Sequence, residues 1–254
     1  MLQTAVEAAR RAGQLIAERY PTHRNVSRKG YRDLVTETDL AAEHVILNLI
    51  QDRFPEHAIL SEETSGGEID EGYTWVIDPL DGTSNYTHRV PIFSVSVALL
   101  QRGRPLVGVV YDPMRGHLFA GERGSGATLN DQPLQVSTIP QLPEGLIGFD
   151  WARDEEKRKQ VLSRLQRVAP LSHTVRALGS AALGLTYVAA GWLDGYFHLA
   201  LHPWDAAAAV LLITEAGGCC TSFDGKPFDV STARCVATNG RIHEALLHAM
   251  QEAP

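Results

Sequence analysis

Residues 77–84, Ile-Asp-Pro-Leu-Asp-Gly-Thr-Ser, place two carboxylates, Asp78 and Asp81, on either side of a proline. The apolar run at 75–77 predicts a strand that ends at Asp78. The proline fixes φ and lacks an N–H donor, which suits a turn rather than a ladder. Residues 82–84 are then typical of a helix start, where free N–H groups bind anions. Two hard oxygen ligands beside such a cradle indicate a magnesium–phosphate site. The alternative is that Asp81 or Thr83 merely caps the helix.

Other carboxylates stand where apolar sequence gives way to polar sequence. Glu62 and Glu63 follow a short strand predicted over 58–60, Asp39 opens a predicted helix, and Asp205 precedes the alanine-rich run 206–213. Each one alone has an ordinary explanation as a surface acid or a helix cap. A single metal site would explain all of these carboxylates together, because acids at strand ends and helix starts can converge across a cleft.

Other hydrolytic centres fit the sequence less well. His198 and His202 stand four apart near Asp205, but His198 falls in a predicted strand, and a spacing of four aligns two zinc ligands on a helix. The metalloprotease motif H-E-x-x-H and the serine hydrolase motif G-x-S-x-G are absent from the sequence. The D-x-x-D-G-T spacing is one residue longer than a phosphoaspartyl phosphatase would need.

Composition is that of an ordinary globular protein. The chain has 254 residues, 44% of them hydrophobic and 21% charged, which allows one large domain or two intimate subdomains. The net charge of −7 argues against a general nucleic-acid surface. The three cysteines, an odd number, favour reduced thiols over a disulfide framework. The N-terminus lacks the unbroken apolar region of a signal peptide, and the mostly apolar run 181–193 is too short to span a bilayer. We therefore expect a cytoplasmic protein without membrane contact.

Hydrophobic periodicity predicts two helices followed mainly by strands up to about residue 135. The helices cover 3–19 and 38–53, the second capped by Thr36 or Thr38 with Ala41, Val45, Leu49 and Ile50 facing inward. Strands follow at 73–77, 93–100, 106–111 and 117–120. The G-x-G within 121–126 indicates a hairpin turn rather than a dinucleotide loop.

After residue 143 helices and strands alternate. Strands are predicted at 146–149, 195–201, 219–223 and 235–238, and helices at 154–168, 180–190, 205–216 and 241–251. This pattern predicts an α/β half. We expect an N-terminal α+β subdomain (1–135) with most of the candidate metal ligands and a C-terminal α/β subdomain (136–254), in one structural unit with a cleft near their junction.

Four ordered motifs resemble the inositol monophosphatase family of magnesium-dependent, lithium-sensitive phosphatases. Residues 75–86 are similar to its D-P-[ILV]-D-G-T signature, and residues 201–208 with 214–218 are similar to its W-D-x-A…E-A-G-G signature. Residues 33–39 and 60–64 also fall in family order. The resemblance runs almost end to end and implies a layered αβαβα sandwich.

The resemblance also implies roles for individual residues. Two to three Mg²⁺ ions are expected: Glu62, Asp78 and the Leu80 carbonyl would hold the first, Asp78, Asp81 and Asp205 the second, and Glu62 a looser third. The substrate phosphate would lie against the N–H groups of Gly82 and Thr83, with Ser84 beside them. Thr83, hydrogen-bonded to Asp39, would orient the attacking water together with Glu62, and Glu63 would support them. Lys29 would lie on a segment that closes over the ions.

Substrate choice is less determined by the motifs. Gly179 and Ser180 would line the substrate pocket with Asp205, and His198 stands where animal inositol phosphatases have an acidic residue that contacts inositol hydroxyls. His198 would donate to sugar hydroxyls, or would attract a second phosphate or carboxylate when protonated. The third alternative is a histidine that only packs at a subunit edge.

The resemblance thus implies a phosphomonoesterase for inositol monophosphate or a similar small polyol or sugar phosphate. Histidinol phosphate, fructose 1,6-bisphosphate and 3′(2′),5′-bisphosphate nucleotides remain alternatives, as does a protein-binding regulatory role. A homodimer and a small phosphorylated substrate are expected, with no direct nucleic-acid contact.

Overall fold

The computed structural model describes residues 1–20, 26–31, 33–64, 68–232 and 234–251. The helices there are α1 Leu2–Arg19, α2 Glu37–Arg53, α3 Thr83–Thr87, α4 Glu155–Val168, α5 Ala181–Ala189, α6 Pro203–Glu215 and α7 His243–Met250, with short 3₁₀ turns at Leu142–Glu144 and Ala169–Leu171. The strands are β1 Val26–Gly30, β2 Asp33–Thr36, β3 Ala58–Ser61, β4 Tyr73–Asp81, β5 Ser94–Gln101, β6 Arg104–Asp112, β7 His117–Glu122, β8 Ala127–Leu129, β9 Gln132–Pro133, β10 Leu146–Phe149, β11 Thr174–Ala177, β12 Gly195–His198, β13 Cys219–Thr221 and β14 Cys235–Thr238.

Two sheets organise the chain. The larger sheet has the order β3-β4-β5-β6-β7-β8-β9 and is antiparallel except where β3 pairs with β4. The smaller sheet has the order β11-β10-β12-β14-β13, with β10 parallel to both β11 and β12. The first lies within residues 58–133 and the second within 146–238. We propose that residue 135 separates two subdomains that share one body.

Alternation along the strands produces five layers. Trp75 and Ile77 on β4 pack with α1 and α2, while Val76 points to the opposite face and packs with α5 and α6. The same central cluster includes Tyr196 of β12, so α5 and α6 lie between the two sheets. The neighbouring Phe197 faces α4 and α7 on the outer side of the smaller sheet. The order is therefore helices, sheet, helices, sheet, helices, and the predicted αβαβα sandwich is confirmed.

Small residues let the central helices approach the larger sheet closely. Residues 206–209 of α6 are four consecutive buried alanines. A Cβ on Gly108 of β6 would lie 2.6 Å from the carbonyl oxygen of Ala208, so any larger residue there would push α6 away. Because α6 begins two residues before Asp205, this close packing also determines where that carboxylate lies.

The prediction that the strand ends at Asp78 is wrong. Strand β4 continues to Asp81, with Asp78 paired to Ser96, Asp81 paired to Ser94 and an irregular register between them. Pro79 lies in that irregular stretch, where its missing N–H costs no ladder hydrogen bond. The bulge brings both aspartates to the end of one strand rather than to a separate turn.

Smaller differences concern helix faces and strand ends. In α2 the fully buried positions are Ala42 and Ile46 rather than Ala41 and Val45, one residue further along the helix. Thr36 is its cap, as one of the two predicted alternatives. Strand β12 ends at His198, three residues earlier than predicted, because His202 already caps α6. The three cysteines are free, as predicted. None of the described helices is long and apolar enough to cross a membrane.

Candidate active site

Three aspartates from distant parts of the chain meet between the two sheets. Asp78 and Asp81 lie at the end of β4, and Asp205 lies in the first turn of α6. Each offers a carboxylate oxygen, and these oxygens all lie within 4.8 Å of one another. Asp78 is 1% exposed and Asp81 8%. Three carboxylates at this separation form an oxygen-only donor set suited to a hard divalent cation.

Glu62 joins this cluster at the end of β3. Its N–H donates to the Ile77 carbonyl at 3.1 Å, which places it beside Asp78. The Glu62 side chain is close enough to Asp78 to raise the pKa of that carboxyl through charge and a hydrogen bond. Buried Glu43 of α2 fixes the segment 61–64. It accepts hydrogen bonds from the Ser61 hydroxyl, from Glu63 N at 3.2 Å and from Thr64 N at 3.0 Å.

Thr83 links the cluster to α2. Its hydroxyl lies 3.1 Å from Asp39 Oδ1 and 3.1 Å from the Leu80 carbonyl oxygen. Asp39 is oriented in turn by Thr36, whose N–H donates to Asp39 Oδ2 at 2.9 Å in a capping box. The hydrogen bond from Thr83 to Asp39 is thus present as predicted.

The turn after Asp81 leads directly into α3. Gly82 has a φ of +96°, a left-handed conformation that favours glycine. Helical hydrogen bonding begins with Tyr86 N to Gly82 O, so the N–H groups of Thr83 and Ser84 precede it. The exposed Ser84 therefore lies beside the backbone donors that the sequence predicts as a phosphate cradle.

Burial and mutual repulsion make the acids in this cluster hard to ionise. Burial first, and then the neighbouring carboxylates, raise the pKa values of Asp78 and Asp205 well above the usual range. Burial also raises the pKa of Asp81 to about 6 and that of Asp39 to about 6, against the hydrogen bonds that they accept. A bound cation would offset this repulsion, so the residues present fit a metal centre.

The opposite wall of the site comes from the smaller sheet and α5. Ser180 caps α5 and donates its hydroxyl to Asp81, which also accepts from Ala181 N at 3.2 Å and Ala182 N at 2.9 Å. Gly179 precedes Ser180 in the same turn. The predicted pocket residues Gly179 and Ser180 are therefore joined to the cluster.

His198 ends β12 at 6% exposure, and its Nδ1 accepts from Ala200 N at 3.0 Å. Burial lowers the pKa of His198 to about 4. The ring is therefore neutral near pH 7, which does not support attraction of a second anion by a protonated His198. With Nδ1 accepting, the proton of the neutral ring is assigned to Nε2.

Sequence reasoning missed three residues of this region. Glu43 and Asp150 are buried acids whose partners are far away in sequence, and Arg153 places its Nη2 3.3 Å from Glu62 Oε1. No local pattern marks such long-range contacts. The Lys29 side chain lies outside the described residues.

Comparison with known proteins agrees with this architecture. The sequence model of the inositol monophosphatase family matches residues 1–254. An inositol-1-monophosphatase of Synechocystis sp. is 43% identical over 256 residues, covering 100% of this chain and 89% of that protein. The Nus factor SuhB of Escherichia coli strain K12 is 44% identical over 259 residues, covering 99% and 96%.

A solved structure shares the whole fold. The extragenic suppressor protein suhB of Bartonella henselae superposes with a TM-score of 0.94 at 35% identity, covering 99% of this chain and 98% of that one. The resemblance that the four motifs carry is confirmed. This chain therefore belongs to the inositol monophosphatase family over its whole length.

Proposed function

We propose that the protein is a Mg²⁺-dependent phosphomonoesterase that hydrolyses inositol monophosphate or a similar small polyol or sugar phosphate. Membership of this family supports a phosphoric monoester hydrolase. The single observation that carries the proposal is the meeting of Asp78, Asp81 and Asp205 between the sheets, next to the Thr83–Asp39 hydrogen bond and the start of α3.

The candidate metal ligands are the acids of this cluster. Glu62, Asp78 and the Leu80 carbonyl would hold one Mg²⁺, Asp78, Asp81 and Asp205 a second, and Glu62 a looser third. When bound, such ions lower the pKa of the attacking water and stabilise the leaving oxygen. The protein's part is to hold the carboxylates close together, which it does through the β4 bulge and the first turn of α6.

The remaining residues orient the substrate and the water. Asp39 keeps the Thr83 hydroxyl aligned, so a Thr83 oxygen lone pair is available to accept from the attacking water, with Glu62 on its other side. Glu63 supports this arrangement through the segment that Glu43 anchors. The N–H groups of Gly82 and Thr83 would bind the phosphate oxygens at the start of α3, with Ser84 beside them.

His198, Gly179 and Ser180 would contact the part of the substrate that carries the hydroxyls. A neutral ring with its proton on Nε2 donates to a hydroxyl oxygen, which favours a polyol over a second phosphate as the partner of His198. This favours inositol or sugar monophosphates over bisphosphates as substrates. This substrate preference is tested by measuring phosphate release at fixed Mg²⁺ from inositol 1-phosphate, histidinol phosphate, fructose 1,6-bisphosphate and adenosine 3′,5′-bisphosphate. A preference for a bisphosphate would contradict it.

Removal of the His198 side chain should weaken binding of polyol phosphates. We expect His198→Ala to raise KM for inositol 1-phosphate about tenfold, as for one lost hydrogen bond, with kcat within about threefold of wild type. Hydrolysis of 4-nitrophenyl phosphate, which has no aliphatic hydroxyl, should not change. His248→Ala is the matched control, since this exposed histidine lies in the last turn of α7, on the outer side of the smaller sheet. Equal changes in KM for both substrates would contradict this role.

A second candidate is a protein-binding role in transcription, suggested by the relative named Nus factor SuhB. Binding of the purified chain to purified transcription elongation proteins, measured in Mg²⁺ and in EDTA, tests it. Binding that persists in a catalytically inactive variant would separate this role from turnover. A homodimer is also proposed, and sedimentation equilibrium measures it directly.

A further inference from the structure

Asp150 is a buried carboxyl that no step of the proposed reaction uses. It directly follows β10 and is 6% exposed. Strand β10 runs parallel to β12, with Phe149 opposite Phe197, so Asp150 lies at the same sheet edge as His198. A buried carboxyl needs hydrogen-bond donors. The residues that donate to Asp150 show which segments of the chain it connects.

The donors of Asp150 come from the turn before α5 and from β12. Gly179 N donates to Oδ1 at 2.6 Å, and the Tyr196 hydroxyl donates to Oδ2 at 3.0 Å. Burial raises the pKa of Asp150 to about 7, against the effect of these donors. The carboxyl therefore connects the turn at Gly179 to Tyr196 of β12.

The same turn is held from its other side by the signature segment. Asn85 Nδ2 donates to the Leu178 carbonyl at 2.8 Å and to the Ile92 carbonyl at 2.8 Å. Gly179 has a φ of +78°, and a Cβ there would lie 2.7 Å from Asn85 Nδ2. The turn is thus fixed between Asn85 and Asp150, with no room for a side chain at its centre.

The residues that follow the Leu178–Gly179 turn orient Asp81, a candidate metal ligand. Ser180, the next residue, donates its hydroxyl to Asp81, and the N–H groups of Ala181 and Ala182 donate to the same carboxylate. A shift of the turn would move all three donors together. We propose that Asp150 is a positioning residue, which holds the Leu178–Ser180 turn so that Ser180 and the start of α5 orient Asp81 for divalent cation binding.

This inference rests on the proposed function and predicts a selective effect on cation affinity. Loss of partners that orient a metal ligand typically weakens metal binding about 10–100-fold. We expect Asp150→Leu to raise the Mg²⁺ concentration for half-maximal activity at least about tenfold, with kcat at saturating Mg²⁺ within about threefold of wild type. Asp150→Asn should restore normal Mg²⁺ dependence, because its amide oxygen accepts from Gly179 N and its NH₂ group can donate to the Tyr196 oxygen.

A matched control comes from the opposite edge of the same sheet. Asp194 is also 6% exposed and directly precedes β12. It accepts from the Ser137 hydroxyl and, at 2.7 Å, from the N–H of Leu146, the first residue of β10. Asp194→Leu should lower the melting temperature of the protein without changing its Mg²⁺ dependence. A purely structural role for Asp150 would make the two leucine variants behave alike.

The experiment combines Mn²⁺ binding, followed by electron paramagnetic resonance, with phosphate release from inositol 1-phosphate as Mg²⁺ is varied. Weaker Mn²⁺ binding in Asp150→Leu, rescued in Asp150→Asn and absent from Asp194→Leu, is the expected result. A folded Asp150→Leu protein with wild-type cation affinity would overturn the proposal, as would an Asp150→Asn protein as impaired as Asp150→Leu. If Asp150→Leu does not fold, Asp150→Ala replaces it, and failure of both to fold overturns the proposal in favour of a structural role. Absence of turnover in the wild type rejects the proposed function separately, because Mn²⁺ binding is measured without turnover.

Discussion

Asp78→Asn and Asp205→Asn should each lower kcat/KM for inositol 1-phosphate at least about a thousandfold while the protein stays folded. Each carboxylate belongs to the buried cluster whose oxygens lie within 4.8 Å of one another. Loss of one anionic ligand should raise the barrier by several kcal/mol, at about 1.4 kcal/mol for each tenfold in rate. The fold should survive, because the substitution removes one of several mutually repelling charges. Phosphate release at saturating Mg²⁺, together with the melting temperature, measures both parts.

The control for this pair is Asp224→Asn, the same chemical change on an exposed turn, where the carboxylate lies 2.7 Å from Lys226 Nζ. Its activity should equal that of the wild type. Mg²⁺-dependent turnover retained in a folded Asp78→Asn protein would reject the assignment of the site.

Without bound cations, the acidic cluster should make the protein less stable as the pH rises. Burial raises the pKa of Asp81 to about 6, and the unfolded chain titrates near 3.8. Between these values the folded state binds more protons than the unfolded state, so the free energy of unfolding falls with pH. Asp81 alone contributes a loss of about 3 kcal/mol, from a shift of about two pH units at about 1.4 kcal/mol each.

Buried histidines titrate with the opposite sign, so the contribution of Asp81 is measured as a difference. Burial lowers the pKa of His198 to about 4, and this group adds stability as the pH rises from about 4 towards 6.5. Urea unfolding of wild type and Asp81→Asn in EDTA at pH 4.5, 6 and 7.5 isolates the effect. Relative to Asp81→Asn, the wild type should lose about 2 kcal/mol over this range, since part of the loss already occurs below pH 4.5. An unfolding free-energy difference that does not change with pH would contradict the prediction.

Added Mg²⁺ should reverse this loss at pH 7.5. A cation that binds only the folded state stabilises it by RT ln(1 + [L]/Kd), or about 2.7 kcal/mol at a hundredfold excess over Kd. The wild type should gain at least this much, and Asp81→Asn should gain clearly less. Equal gains in both proteins would indicate that Mg²⁺ binds elsewhere.

The sequence predicted the elements whose apolar pattern is complete within a short stretch of the chain. Helix α4 and strands β10 and β14 follow from apolar spacing and a single cap, and their bounds differ by at most one residue from the prediction. Strands β1, β2, β8, β9 and β11 were not predicted, because polar residues interrupt or bound their two to five residues, whereas β10 and β14 are mainly apolar. The continuation of β4 through Pro79 depends on pairing with β5, which lies outside any local window.

The residues of the candidate site also divide into those that local sequence predicts and those that only the fold identifies. The D-x-x-D-G-T segment is local and pointed directly to a metal–phosphate centre. On the inward face of α2, Leu49 and Ile50 were predicted correctly, but Ala41 and Val45 were predicted in place of the buried Ala42 and Ile46. Glu43 and Asp150 act through hydrogen bonds to residues about 20 and 30 positions away, so only the folded structure identifies them.

The most direct test of the central claim is the position of bound cations. Mn²⁺ is the appropriate substitute for Mg²⁺, since carboxylate and carbonyl oxygens bind both ions. Crystals of the active protein grown with Mn²⁺ should give anomalous difference peaks between the carboxylates of Asp78, Asp81 and Asp205, with Glu62 in contact. Anomalous peaks found only elsewhere, with these four side chains free of Mn²⁺, would contradict the account.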